Sequence, residues 1–129
     1  MCGIAGFWSN SSHKSSTWLE QTTSAMADTL VHRGPDDGGK WVDYEVGVVF
    51  CHRRLSIIDI SDAGHQPMIS ADGRFVITYN GEVYNFQELR QQLEKKGHRF
   101  KGHSDTEVML AAFVQWGVEN SVKKINGMF

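Results

Sequence analysis

With 129 residues, 40% of them apolar and 22% charged, the chain can bury one domain-sized core of an ordinary globular protein. Its 13 basic and 15 acidic side chains leave a formal net charge of -2, which argues against binding driven by nucleic-acid phosphates or anionic membranes. The 2 cysteines form no disulfide framework, and no apolar run approaches membrane-spanning length, so a cytoplasmic setting is expected.

Met1-Cys2 leads into Gly3 to Trp8, which reads as a buried strand and is too short for a signal peptide. A serine-rich loop follows at 9–16. Thr17-x-x-Glu20 predicts a capping box, with Leu19, Met26 and Leu30 as the helix's apolar stripe. His32-Arg33-Gly34-Pro35-Asp36-Asp37-Gly38-Gly39 packs turn formers, charges and an imidazole together. It reads either as a solvated loop or as part of a site.

Val46 to Arg53 predicts a strand rich in β-branched residues, and Arg74 to Asn80 alternates in strand fashion after an Asp72-Gly73 turn. Asn85 with Glu88 predicts a helix start, Phe86, Leu89 and Leu93 its buried face, and Gly97 its stop. Ser104-x-x-Glu107 opens a last helix, with Met109, Ala112, Phe113 and Trp116 at helical spacing and Gly117 at its end. Asn126-Gly127-Met128-Phe129 reads as the start of a further strand, so the chain is expected to be truncated at its C-terminus. The fold class is α+β.

The chemistry-bearing candidates each have a plain structural alternative. If Met1 is removed, Cys2 carries a free α-amine, which titrates near pH 8 and can take the thiol proton. Otherwise it is a small hydrophobe. Arg53 and Arg54 close an apolar strand, where a guanidinium suits a substrate carboxylate or a structural ion pair. Asn80 and Gly81 supply the donor types of an oxyanion hole, or simply a turn. Asp105 opens a helix, where the dipole stabilises a carboxylate with or without a ligand.

Cys51 and His52 are adjacent, so in a strand they point to opposite faces and make a poor dyad. Cys51 is assigned to the core, and His98 and His103 to loops. None of the 6 histidines has metal-ligand spacing, and no metal is expected.

A family resemblance runs through motifs that occur in order. They are Cys2-Gly3-Ile4-Ala5-Gly6, His32-Arg33-Gly34-Pro35-Asp36, His52-Arg53-Arg54-Leu55-Ser56-Ile57-Ile58-Asp59 and Gly64-His65-Gln66-Pro67-Met68, then Tyr79-Asn80-Gly81-Glu82-Val83-Tyr84-Asn85 and Ser104-Asp105-Thr106-Glu107-Val108. Together they resemble the glutaminase domain of glutamine-hydrolysing asparagine synthetase, a class II glutamine amidotransferase. The resemblance covers Cys2 to Phe129.

It implies an N-terminal-nucleophile hydrolase fold, a four-layer α/β/β/α sandwich, with 1–129 as one incomplete domain. It also implies Cys2 as nucleophile and its α-amine as base, with Asn80 and Gly81 as the oxyanion hole. Arg54 is implied for the α-carboxylate of L-glutamine, and Glu82 and Asp105 for its α-amine. The Ile57 and Ile58 backbone would line the same pocket. Ammonia would pass to a synthetase domain or partner subunit, and ATP and Mg are implied only for that absent domain, whose SGG loop has no counterpart here. No cofactor is implied for this domain, no nucleic-acid or membrane partner, and self-association is expected where sheet edges stay open. Two rival readings are a non-catalytic glutamine-binding or interaction fragment and an amidotransferase serving a sugar carboxylate.

Overall fold

A computed structural model of the chain describes residues 2–9, 15–56 and 62–129. The chain divides into two compact units. The first holds residues up to Ser56 together with His65–Pro67 and Thr78–Asn80, and the second holds the remainder.

In the first unit, β1 (Gly3–Trp8), β2 (Asp37–Asp43) and β3 (Val48–Arg54) form an antiparallel sheet in the order β1-β3-β2. Gly3 faces Arg53 and Trp8 faces Val48 across one ladder, and Asp37 faces Arg54 and Asp43 faces Val48 across the other. Helix α1 (Ser16–Thr29) packs against this sheet. Its cap is Ser15, whose hydroxyl accepts the Trp18 N–H at 3.2 Å, rather than the expected Thr17. The buried stripe is Leu19, Thr23 and Ala27, with Met26 and Leu30 only half-buried. Thr23 is tolerated there because its hydroxyl donates to the Leu19 carbonyl at 2.6 Å, so no polar group is left unpaired.

Strand β2 was not expected, since Asp37-Gly38-Gly39 reads as a turn. Pairing along the whole of β3 overrides that local preference. Conversely, the strand expected over Arg74 to Asn80 shrinks to the two residues Val76–Ile77.

In the second unit, β4 (Met68–Ile69) pairs with β5 (Val76–Ile77), and β6 (Glu82–Val83) pairs with β7 (Gly127–Met128). Helices α2 (Phe86–Glu94), α3 (Asp105–Trp116) and the short α4 (Val118–Val122) complete it. The core is Leu89 and Leu93 of α2 against Val108, Met109, Leu110 and Ala112 of α3, with Val83 beneath. Each large apolar side chain so buried contributes on the order of 2 kcal/mol.

Ser104 caps α3 as expected, accepting the Thr106 N–H at 3.1 Å. Phe113 and Trp116, expected in the core, are half-buried. Asn85 does not cap α2 through its side chain. Its amide instead donates to the Lys124 carbonyl and accepts the Asn126 N–H, both at 2.9 Å, which fixes the approach to β7. The overall class is mixed α and β.

Candidate active site

Alternation along β3 sorts its side chains onto two faces. Toward α1 lie Val49 and Cys51, both fully buried, and Arg53. Arg53 Nε donates to the Ala27 carbonyl at 3.2 Å, and its guanidinium pairs with Asp28 at 2.8 Å. A cation at a helix C-terminus satisfies orphan carbonyls and opposes the dipole, so Arg53 takes the ion-pair role. Arg54 faces the other way with His52, and both are buried.

Cys2 falls one residue before the first paired residue of β1, beside the end of β3. It is half-buried. Its Sγ accepts the Leu55 backbone N–H at 3.3 Å and donates to the Leu55 carbonyl at 3.6 Å. The thiol is therefore oriented by main chain rather than by a mobile side chain.

That main chain is itself strapped down. The Asp36 N–H donates to the Arg54 carbonyl at 3.1 Å, and the Asp36 carboxylate accepts the Ser56 N–H at 2.8 Å. The strap needs Gly34, because a Cβ there would lie 2.3 Å from the Arg53 carbonyl carbon. The loop from His32 is thus solvent-exposed over His32, Arg33, Pro35 and Asp36 and at the same time a brace for the end of β3.

On the His52 face the sequence motif around Gln66 closes against β2. His65 Nδ1 donates to Asp37 Oδ2 at 2.7 Å. A Cβ on Gly39 would lie 2.0 Å from the Gln66 carbonyl oxygen and 2.6 Å from His65 Nε2, so only glycine admits this approach. Gln66 Oε1 accepts the Tyr79 N–H at 2.7 Å, and His52 Nε2 donates to the Tyr79 carbonyl at 3.2 Å. Asn80, half-buried, follows directly.

Burial pushes the His52 imidazole below its ordinary value of 6.5. The Tyr79 carbonyl and Asp37 oppose this, and the Arg54 and His65 charges add to it. Burial acts to raise the Asp37 carboxyl, but the His65 hydrogen bond and charge, the Gly38 N–H and the Arg54 charge together hold it below 3.8.

In the second unit Gly81 is half-buried and Glu82 is exposed on β6. Asp105, buried at the first turn of α3, accepts the Val83 N–H at 2.8 Å through Oδ2 and the Thr106 N–H at 2.9 Å through Oδ1. It thereby ties α3 to β6 next to Glu82. Of the residues named from sequence, Cys2, Arg54 and Asn80 lie in the first unit and Gly81, Glu82 and Asp105 in the second. Ile57 and Ile58 lie outside the described residues.

Sequence reasoning gave no role to Asp36, His52 or Gln66. Each stands inside a quoted motif, but its bonding runs to main chain distant in sequence. Among the described residues no group of His, Cys, Asp or Glu side chains is placed to hold a metal ion. No helix among them is long and apolar enough to cross a membrane.

The glutamine amidotransferase domain family matches this chain over residues 1–129. The chain belongs to that family. The glutamine-hydrolysing asparagine synthetases 3 and 2 of Bacillus subtilis are 42% and 40% identical to it across its full length, which is 20% and 16% of theirs. Amidase chry2 of Gibberella zeae is 32% identical, again across the full chain and 20% of its own length. The chain thus spans about 20% of the length of such relatives. In this domain the motif residues form two groups: those carried by the β3 end and its brace, and those carried by β6 and the start of α3.

Proposed function

We propose that this amidotransferase domain hydrolyses L-glutamine to glutamate and ammonia through a thioester on Cys2, once Met1 is removed. The observation that carries the reading is the Cys2 thiol, held by the Leu55 backbone beside Arg54 in a chain that matches the family end to end.

The Cys2 α-amine takes the thiol proton, and Sγ bonds to the γ-carboxamide carbon as the carbonyl electron pair moves to oxygen. Collapse of this intermediate breaks the C–N bond, and the proton leaves with ammonia. Water, giving its proton to the same amine, then attacks the thioester, releasing glutamate and restoring the thiol. Asn80 and the Gly81 N–H are assigned to the developing oxyanion, where one donor is typically worth about 3 kcal/mol. Arg54 is assigned to the substrate α-carboxylate, whose two oxygens match its fork. Glu82 and Asp105 are assigned to the α-amine, and the Ile57–Ile58 backbone to the pocket lining.

The sheet of β1, β2 and β3 with α1 is compatible with one half of an N-terminal-nucleophile hydrolase sandwich. The ammonia would serve ATP-dependent amide formation by a synthetase domain or partner subunit. Aspartate is the acceptor favoured by the relatives named as asparagine synthetases. The alternative acceptor class is another carboxylate, such as that of a sugar.

The test is treatment of the Met1-free chain with 6-diazo-5-oxo-L-norleucine, followed by intact-mass and peptide analysis. A single adduct on Cys2 is expected, together with ammonia release from glutamine. An unmodified folded chain, or an adduct elsewhere, overturns the reading. Calorimetric heat on adding glutamine without ammonia release would leave a binding module.

A further inference from the structure

We infer that His52 and Gln66 are positioning residues for glutamine hydrolysis, clamping the Tyr79 backbone from both sides and so fixing the main chain that presents Asn80 and Gly81. The inference rests on the glutaminase reading above and adds to it the source of the oxyanion hole's rigidity.

Both main-chain polar groups of Tyr79 are bound by side chains. Gln66 accepts the N–H at 2.7 Å, and His52 donates to the carbonyl at 3.2 Å. The Tyr79 carbonyl belongs to the peptide plane that continues into Asn80, so holding that oxygen sets where the Asn80 Cα lies. β5 has already ended at Ile77, so sheet pairing along β5 does not extend to this segment.

The two anchors are themselves immobilised. His52 lies in the central strand β3, opposite Ile4 on one side and Gly39 on the other, and is 1% exposed. Gln66 is 7% exposed, its own carbonyl presses on Gly39, and the preceding His65 is pinned to Asp37.

The imidazole tautomer follows from the contact. A carbonyl only accepts, so Nε2 carries the hydrogen and Nδ1 the lone pair. Nδ1 is buried and has no hydrogen-bond partner among the described residues. Leaving it unsatisfied carries a desolvation cost that an apolar side chain of similar size would avoid. Packing alone therefore does not account for a histidine here; donation to Tyr79 does. Oxyanion donors act only when preorganised to within a few tenths of an ångström of the developing charge, which gives such a clamp its purpose.

The test compares His52→Leu, His52→Gln, Gln66→Leu and Gln66→Glu with the parent chain, each freed of Met1, reading ammonia release from glutamine and thermal unfolding. The leucine variants should lose roughly tenfold to a hundredfold in kcat while KM for glutamine changes by less than about threefold. A displaced oxyanion donor weakens the transition state and not the ground state. Gln at 52 restores an N–H donor and Glu at 66 restores an acceptor, so both should recover most of kcat.

Leucine variants that fold and keep parental kcat overturn the clamp. So do conservative variants that fold yet lose as much as leucine, the readout that decides if the leucine chains do not fold. A rise in KM at constant kcat also overturns it, since that marks substrate binding. No ammonia from the Met1-free parent chain sinks the glutaminase reading and this inference with it.

Discussion

The Asp36 carboxylate accepts the Ser56 backbone N–H at 2.8 Å, while the Asp36 N–H reaches the Arg54 carbonyl at 3.1 Å. One residue therefore brackets Leu55, the residue whose main chain holds the Cys2 sulfur. Asp36→Ala removes the acceptor from Ser56 at a solvent-exposed position, so urea unfolding should show a loss of only about 1 kcal/mol. The effect on Cys2 should be larger in proportion, because the lost contact orients the nucleophile. Labelling by the glutamine-mimicking electrophile should slow by roughly tenfold, and Asp36→Asn, which keeps an amide oxygen, should recover part of the rate. An Asp36→Ala chain that labels at the parental rate would separate the brace from the thiol.

Two glycines give opposite expectations for the same substitution. An alanine Cβ at Gly39 would lie 2.0 Å from the Gln66 carbonyl oxygen, and backbone cannot swing aside as a side-chain tip can. Gly39→Ala should therefore cost about 3 kcal/mol in urea unfolding through overpacking. At Gly73 a Cβ meets nothing within 4 Å, but φ is +73°, so Gly73→Ala should cost only about 1 kcal/mol of backbone strain. Equal losses at the two sites would mean that 65–67 does not close on β2 as tightly as described.

The parts of the fold readable from sequence are those set by local chemistry. Ser104 announces α3 because its hydroxyl is the cap, and Leu89 and Leu93 face inward because helical spacing leaves them no other side. β2 was illegible for the opposite reason, since its first residues Asp37-Gly38-Gly39 have turn chemistry and only the ladder to β3 extends them. The strand expected through Tyr79 failed because Gln66 and His52 bind that backbone in place of strand pairing.

The same division runs through the site. Cys2 and Asn80-Gly81 stand out by residue type and position, and the split between Arg53 and Arg54 follows once β3 is known to alternate. The supports Asp36, His52 and Gln66 work through backbone groups remote in sequence, which no spacing pattern encodes.

The two cysteines should differ sharply in reactivity. Cys51 is 0% exposed, and burial pushes its thiol up, with the Ala5 backbone and the Arg53 and Lys40 charges only partly opposing. The thiolate is the reactive form, so both access and ionisation protect Cys51. Iodoacetamide at pH 8 should label half-buried Cys2 at least about a hundredfold faster in the folded chain. In urea the two should label at comparable rates. Peptide mass analysis reads both sites, and rapid labelling of Cys51 without denaturant would contradict its place between the sheet and α1.

Buried His52 also predicts how stability follows pH. Its folded-state pKa lies below the ordinary 6.5, so on acidification the unfolded chain takes up the proton first. Stability then rises with pH wherever the unfolded state binds more protons. The His52 contribution is therefore complete above pH 6.5 and is lost as pH falls from there toward the folded-state pKa. The slope is at most about 1.4 kcal/mol per pH unit. Asp37 acts in a separate window: held below 3.8 by His65 and its other partners despite burial, its contribution is present above that value and disappears as pH falls below it. Urea midpoints between about pH 5 and pH 7 should decline on acidification in the parent chain. His52→Gln should flatten that decline, because glutamine takes no proton. Asp37→Asn should leave a decline in this range and blunt only the loss of stability below about pH 4. A His52→Gln chain with the parental slope would mean that the proton-linked group lies elsewhere and that His52 is not held neutral by burial.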